Sequence, residues 1–113
     1  MRRPIKFALA AMLAMSAPAA AEDAVTIPVS LQDHRFVPEE IHVPAGKPVW
    51  LDIANHDSTA EEFYSGILAI EKIIPAGGHA RIRLRPLAPG RYPFIGEFHS
   101  DTAHGAVLSE AAK

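Results

Sequence analysis

From residue 25 onward, apolar and polar residues tend to alternate one by one, in runs of five to eight cut by proline and glycine. In 49–53, Val49, Leu51 and Ile53 alternate with Trp50 and Asp52; in 79–84, Ala80, Ile82 and Leu84 alternate with His79, Arg81 and Arg83. Period two places one set on a buried face and the other on a wetter one, which is the pattern of a half-buried strand. The same reading gives strands at 25–31, at 41–43 with Ile41 and Val43 opposite His42, in the apolar stretch 61–74, at 90–96 and at 105–109. Pro28 predicts an edge or a bulge in the first of these, because proline brings no N–H to a ladder. No apolar repeat of helical period lasts three turns. Turn signals recur about every 8–12 residues, at Pro44-Ala45-Gly46, Asn55–Thr59, Gly77-Gly78 and Pro89-Gly90, which predicts an all-β sandwich of about seven strands.

Within such a sandwich Phe36, Phe63, Tyr92, Phe94 and Phe98 read as core and rim packing. The arginine row Arg81, Arg83 and Arg85 reads as the solvated side of a strand. Trp50 stands opposite the row Val49, Leu51 and Ile53, so it either covers the outside of a sheet or offers a partner surface.

The first 21 residues follow another pattern. Arg2, Arg3 and Lys6 precede an apolar run from Phe7 to Met15, and small residues follow as far as Ala19-Ala20-Ala21. This is the layout of a secretory signal peptide (1–21), and its apolar run is too short to span a bilayer. The expected mature domain is 22–113, exported. Its loss of Arg2, Arg3 and Lys6 takes the formal charge from −2 to −5, since all 13 acids lie beyond residue 21. An acidic surface argues against nucleic acid, whose phosphates need clustered cations, and suits a metal ion or a cationic partner. Met1, Met12 and Met15 are the methionines and there is no cysteine, so the mature domain has no sulfur. With no disulfide, a domain this small depends on efficient packing.

One segment carries the chemistry. Tyr92, Phe94, Gly96, His99 and His104 are spaced as in the cupredoxin family's Tyr-x-Phe-x-Cys-x-x-His-x-x-x-x-Met, with glycine at the cysteine position and histidine at the methionine position. Upstream, Phe36-x-Pro38, Pro44-x-Gly46 and Asn55-x-Asp57 also resemble the family, and six residues beyond Asn55, where it places a histidine, stand Glu61, Glu62 and Phe63. The resemblance runs from about Thr26 to Ser109 and implies a cupredoxin-like Greek-key β-sandwich. The glutamate-bearing, cysteine-free variant is similar to the periplasmic cupredoxin-like component of bacterial ferrous iron transporters. That resemblance implies work beside a periplasmic iron-binding protein and a membrane iron permease.

A blue-copper centre needs a thiolate, so composition excludes it here. The resemblance leaves Glu61, His99 and His104 as expected metal ligands, with Glu62 or Glu97 as further carboxylates and Asp101 nearby. On a strand Glu61 and Glu62 point to opposite sides, so one of them faces the site. Glu97 and His99 share a side if the strand continues that far. Imidazole with carboxylate suits iron or copper(II) better than copper(I), and two histidines with one carboxylate are also the donors of open non-haem iron sites. His34, His42, His56 and His79 read as ordinary polar residues, with His56, in the polar turn, the one placed to approach the same end. The expected function is metal binding in iron uptake; a ferroxidase-like enzyme and a metal-free interaction module are the alternatives.

Overall fold

The structure, a computed structural model, describes residues 24–112 together with Pro4. The expected signal peptide therefore lies, apart from Pro4, outside the described residues. Among these residues the strands are β1 (Val25–Gln32), β2 (Arg35–Val37), β3 (Glu40–Pro44), β4 (Val49–Asn55), β5 (Glu61–Ser65), β6 (Ile70–Ile74), β7 (His79–Leu84), β8 (Gly90–Gly96) and β9 (His104–Glu110). A single 3₁₀ turn, Glu97–His99, separates β8 from β9.

The strands form a four-stranded sheet, β2-β1-β4-β7, and a five-stranded sheet, β3-β9-β8-β5-β6. Both are mixed. β1 runs parallel to β4 and β3 parallel to β9, while the remaining neighbours are antiparallel. The chain passes from one sheet to the other after β2, after β3, after β4, after β6 and after β7, so the sandwich is stitched by crossings.

Alternation in the sequence becomes burial in the fold. β4 is buried at every odd position from Val49 to Asn55, and β7 at Ala80, Ile82 and Leu84. Facing them are Ile41 and Val43 of β3, Phe63 of β5, Phe94 of β8 and Val107 of β9. Three phenylalanines join the sheets: Phe36 meets Phe94 edge-on at 5.0 Å and Phe63 at 5.9 Å, and Phe63 stacks on Phe94 at 4.6 Å. Such pairs add about 0.5–1.5 kcal/mol each beyond the area they bury. Pro28 sits beside an open edge, because β2 pairs with β1 only at Ser30–Gln32.

Two elements depart from the sequence reading and raise the strand number to nine. The stretch 61–74 is a hairpin, β5 and β6, whose apolar connection reads as strand because its anchor is hidden: Leu68 is buried, its N–H donates to Ser65 Oγ (3.2 Å), and Ala69 takes a positive φ of 55°. The three-residue β2 is too short to show alternation. It pairs with β1 through a two-residue turn, Asp33-His34, with positive φ at both residues (51° and 56°), the signature of a tight hairpin turn. That turn brings a histidine to one end of the sandwich.

Candidate metal centre

The end of the sandwich holding this turn also receives the β4–β5 loop and the 3₁₀ turn after β8. Asn55 anchors the middle loop from inside. Its Nδ2 donates to the carbonyls of Thr59 (2.9 Å) and Ile74 (3.2 Å), and its Oδ1 accepts the N–H of Asp57 (2.9 Å). Asp57 is thereby aimed at the β1–β2 turn. Its Oδ1 accepts the N–H of Asp33 (2.8 Å) and its Oδ2 that of His34 (2.9 Å), while His34 Nδ1 lies 3.5 Å away. Burial by itself would raise the Asp57 pKa. The two N–H donors, with the charges of His34 and His99, outweigh it and hold the carboxyl below its ordinary value.

Glu61 opens β5 and points inward, 1% exposed. Its carboxylate is engaged at both oxygens. Oε1 accepts the N–H of Phe98 (2.8 Å) and of Glu62 (3.0 Å), and Oε2 lies 2.6 Å from His99 Nδ1. An ionised carboxylate only accepts, so Nδ1 carries the proton, and whenever the ring is neutral Nε2 keeps its lone pair. The His99 side chain is 26% exposed, so the ring is held from inside and open at its far edge. The loop is closed by Ala103 N–H to His99 O (2.8 Å) and Gly96 N–H to Ala103 O (2.7 Å).

Against His99 lies a second imidazole. The rings of His34 and His99 stack with centroids 3.7 Å apart and planes 12° from parallel. Two carboxylate–histidine pairs, Asp57 with His34 and Glu61 with His99, thus meet face to face, one from each sheet.

The expected ligands are distributed unevenly around this pair. Glu61 and His99 are in direct contact. Glu62 is half-buried on the opposite face of β5. Glu97 and Asp101 are exposed in the loop, and His104 opens β9 on an exposed position opposite Ile95. The 3₁₀ turn ends the strand at Gly96, so strand alternation no longer relates Glu97 to His99. His42 pairs with Glu110 (2.7 Å) on exposed strand positions, His79 lies 3.6 Å from Asp52, and His56 is exposed. Among the described residues no group of three or more His, Cys, Asp or Glu side chains is arranged to hold a metal ion. The residue that sequence reasoning passed over is His34. The signal for it was a two-residue Asp-His junction between β-type runs, where both residue types tolerate positive φ.

Gly96 shows which metal chemistry fits. A Cβ there would lie 2.6 Å from Ala103 Cβ and 2.7 Å from Glu61 Cδ. The Ala103 methyl and the Glu61 carboxylate fill the space that a side chain at 96 would take, so a thiolate there clashes with both as they stand. What the site offers is imidazole nitrogen backed by carboxylate, a donor set for first-row ions of intermediate hardness.

The chain matches the cupredoxin-like domain family over residues 6–108, and it belongs to that family. An uncharacterized protein of Rickettsia prowazekii (strain Madrid E) is 39% identical over 87 residues, which cover 77% of this chain and 70% of that one. Among solved structures, the metal-binding domain of the Streptococcus pneumoniae Cu(I)-exporting P-type ATPase CopA, holding Cu(I), superposes with a TM-score of 0.66 at 17% identity, covering 78% of this chain and 85% of that one. A copper-binding protein in its apo form gives 0.63 at 17% (75% and 86% covered), and a reduced amicyanin variant 0.60 at 19% (80% and 85%). At these identities the likeness is one of fold: two mixed sheets forming a cupredoxin-like sandwich.

Proposed function

We propose that this chain is a periplasmic metal-binding protein of iron acquisition. It takes iron or copper(II) on an imidazole site and serves in capture, oxidation or hand-over of the metal to a transport partner. The observation that carries this reading is the 2.6 Å contact between Glu61 and His99 Nδ1. Metal-bound histidines characteristically give their other ring nitrogen to a carboxylate, which fixes the tautomer and makes the ligating nitrogen more basic. Here that partner is buried and held by two backbone donors, so the ring is oriented before any ion arrives.

Glu61 acts in this reading through His99. Three hydrogen bonds of its carboxylate orient the loop and the ring, and one acceptor position on Oε2 is left over. A bound iron or copper ion would supply one-electron chemistry. The protein supplies a fixed nitrogen, a sulfur-free donor set that disfavours copper(I), and an acidic domain that attracts cations. The iron role, the periplasmic setting, the iron-binding partner and the permease rest on the resemblance to ferrous iron transporter components. The fold relatives that bind copper are compatible with copper as the ion, without fixing its oxidation state.

Titration of the purified chain with copper(II), and anaerobically with Fe(II), tests the reading. Saturable binding at micromolar concentration, abolished in His99→Ala and retained in His42→Ala, is the expected result. Oxygen consumption with excess Fe(II) would make the protein a ferroxidase as well. Absence of binding to either ion would leave a metal-free interaction module, the reading favoured by the lack of a preformed three-ligand cluster among the described residues.

A further inference from the structure

We infer that His34 is a second metal ligand, a swinging imidazole that closes on an ion held by the fixed imidazole of His99. This rests on the reading of His99 as a ligand and adds to it a residue from the opposite sheet.

The two rings differ in how they are held. His99 is pinned by a buried carboxylate at 2.6 Å and by a loop closed on both sides. His34 is held at its backbone instead. Asp57 clamps the N–H groups of Asp33 and His34 at 2.8 and 2.9 Å, but its nearer oxygen stays 3.5 Å from the imidazole, beyond a hydrogen bond. The His34 side chain is 42% exposed, so its backbone is anchored while its ring is held only by the stack on His99 and the long contact to Asp57.

Stacking sets what the ring must do. Imidazole lone pairs lie in the ring plane, so two rings only 12° from parallel send them along nearly parallel planes that do not converge. That explains why two neighbouring histidines form no closed cluster as they stand. Tilting of the exposed His34 ring away from its neighbour turns the stack into a converging pair. Asp57 then lies within reach of Nδ1, as Glu61 already does for His99, so both rings would present Nε2 with a carboxylate behind. The ion addressed is one that accepts imidazole nitrogen, such as copper(II) or iron.

The test uses the full chain with copper(II) sulfate. In the wild-type protein, substoichiometric copper(II) should broaden the ring resonances of both His34 and His99 in NMR spectra before those of His42 and His79. Electron paramagnetic resonance of the loaded protein should show coupling to two imidazole nitrogens. His34→Asn, chosen because asparagine tolerates the positive φ of this turn, should reduce that coupling to one nitrogen. Affinity should weaken by at least the about tenfold that loss of an outer-shell partner costs, with the thermal midpoint little changed. Copper binding that disappears in His99→Ala but keeps both its affinity and its nitrogen coupling in His34→Asn would overturn this inference and leave the His99 site intact. A wild-type chain that binds no copper(II) would overturn both.

Discussion

Replacement of Glu61 by glutamine separates the structural work of this carboxylate from its effect on His99. The carboxylate is 1% exposed and accepts three hydrogen bonds, from Phe98 N–H, Glu62 N–H and His99 Nδ1. Glutamine nearly preserves the volume and can keep its amide oxygen on the two backbone donors. Its NH₂ then faces Nδ1, where a proton already sits. The ring must give up that proton and carry one on Nε2, the nitrogen needed for metal. A hydrogen bond to a charged group contributes about 1.5–3 kcal/mol, and one of the three changes character, so Glu61→Gln should cost about 1–3 kcal/mol. At about 4–8 °C per kcal/mol for a domain of this size, the melting midpoint should fall by roughly 4–24 °C with the fold retained. Glu61→Ala should cost more, about 3–5 kcal/mol, because it strands the remaining buried donors. Urea titration gives the energies, and long-range ¹H–¹⁵N spectra of the imidazole report which nitrogen is protonated. Glu61→Gln with the Nδ1-protonated tautomer and undiminished metal affinity would refute the argument.

Other residues give separate tests. Since the Asp57 pKa is lowered in the folded state, its contribution to stability should be full above the ordinary carboxylate range and vanish as pH falls through the lowered value. The gap in urea midpoint between wild type and Asp57→Asn should therefore close between neutral and strongly acidic pH. Gly105→Ala should destabilise by at least about 1–3 kcal/mol, since the new Cβ would meet the backbone carbonyl of Glu39 and lie 2.8 Å from Phe94 Cζ; calorimetry measures it. Arg81 and Arg83 lie 4.7 and 5.6 Å from the Trp50 ring, so removing either should cost about 0.5–1 kcal/mol and shift tryptophan emission.

The fold was legible where burial is one-sided. The alternation of Val49, Leu51 and Ile53, or of Ala80, Ile82 and Leu84, is written into the order of residues, because each strand has one wet face. The arginine face of β7 is solvated as its pattern implied, and Trp50 proves to be the platform beneath it, a cross-strand relation that one strand's sequence cannot express. The β5–β6 connection was illegible because Leu68 behaves as core while sitting in a turn. At the site, the meeting of Glu61 and His99 follows the spacing of a known pattern. The meeting of His34 and His99 does not, since it depends on two loops 65 residues apart in sequence reaching the same end of opposing sheets. The role of Glu97 turned on whether β8 continued, and backbone bonds within the loop, not side-chain pattern, end it.

The interlocking of Gly96 with the Glu61 carboxylate has an evolutionary consequence. Cysteine at 96 collides with the Ala103 methyl and with the acid, while histidine at 61 beside a glycine forfeits the contacts that hold the loop. Either change alone therefore passes through a damaged intermediate, and positions 61 and 96 should exchange identity together, with room made at 103. A double-mutant cycle between them should show the paired replacement to be milder than its halves added together. Lineages of this fold would then fall into two camps, sulfur-bearing and acid-bearing, with few sequences stranded between.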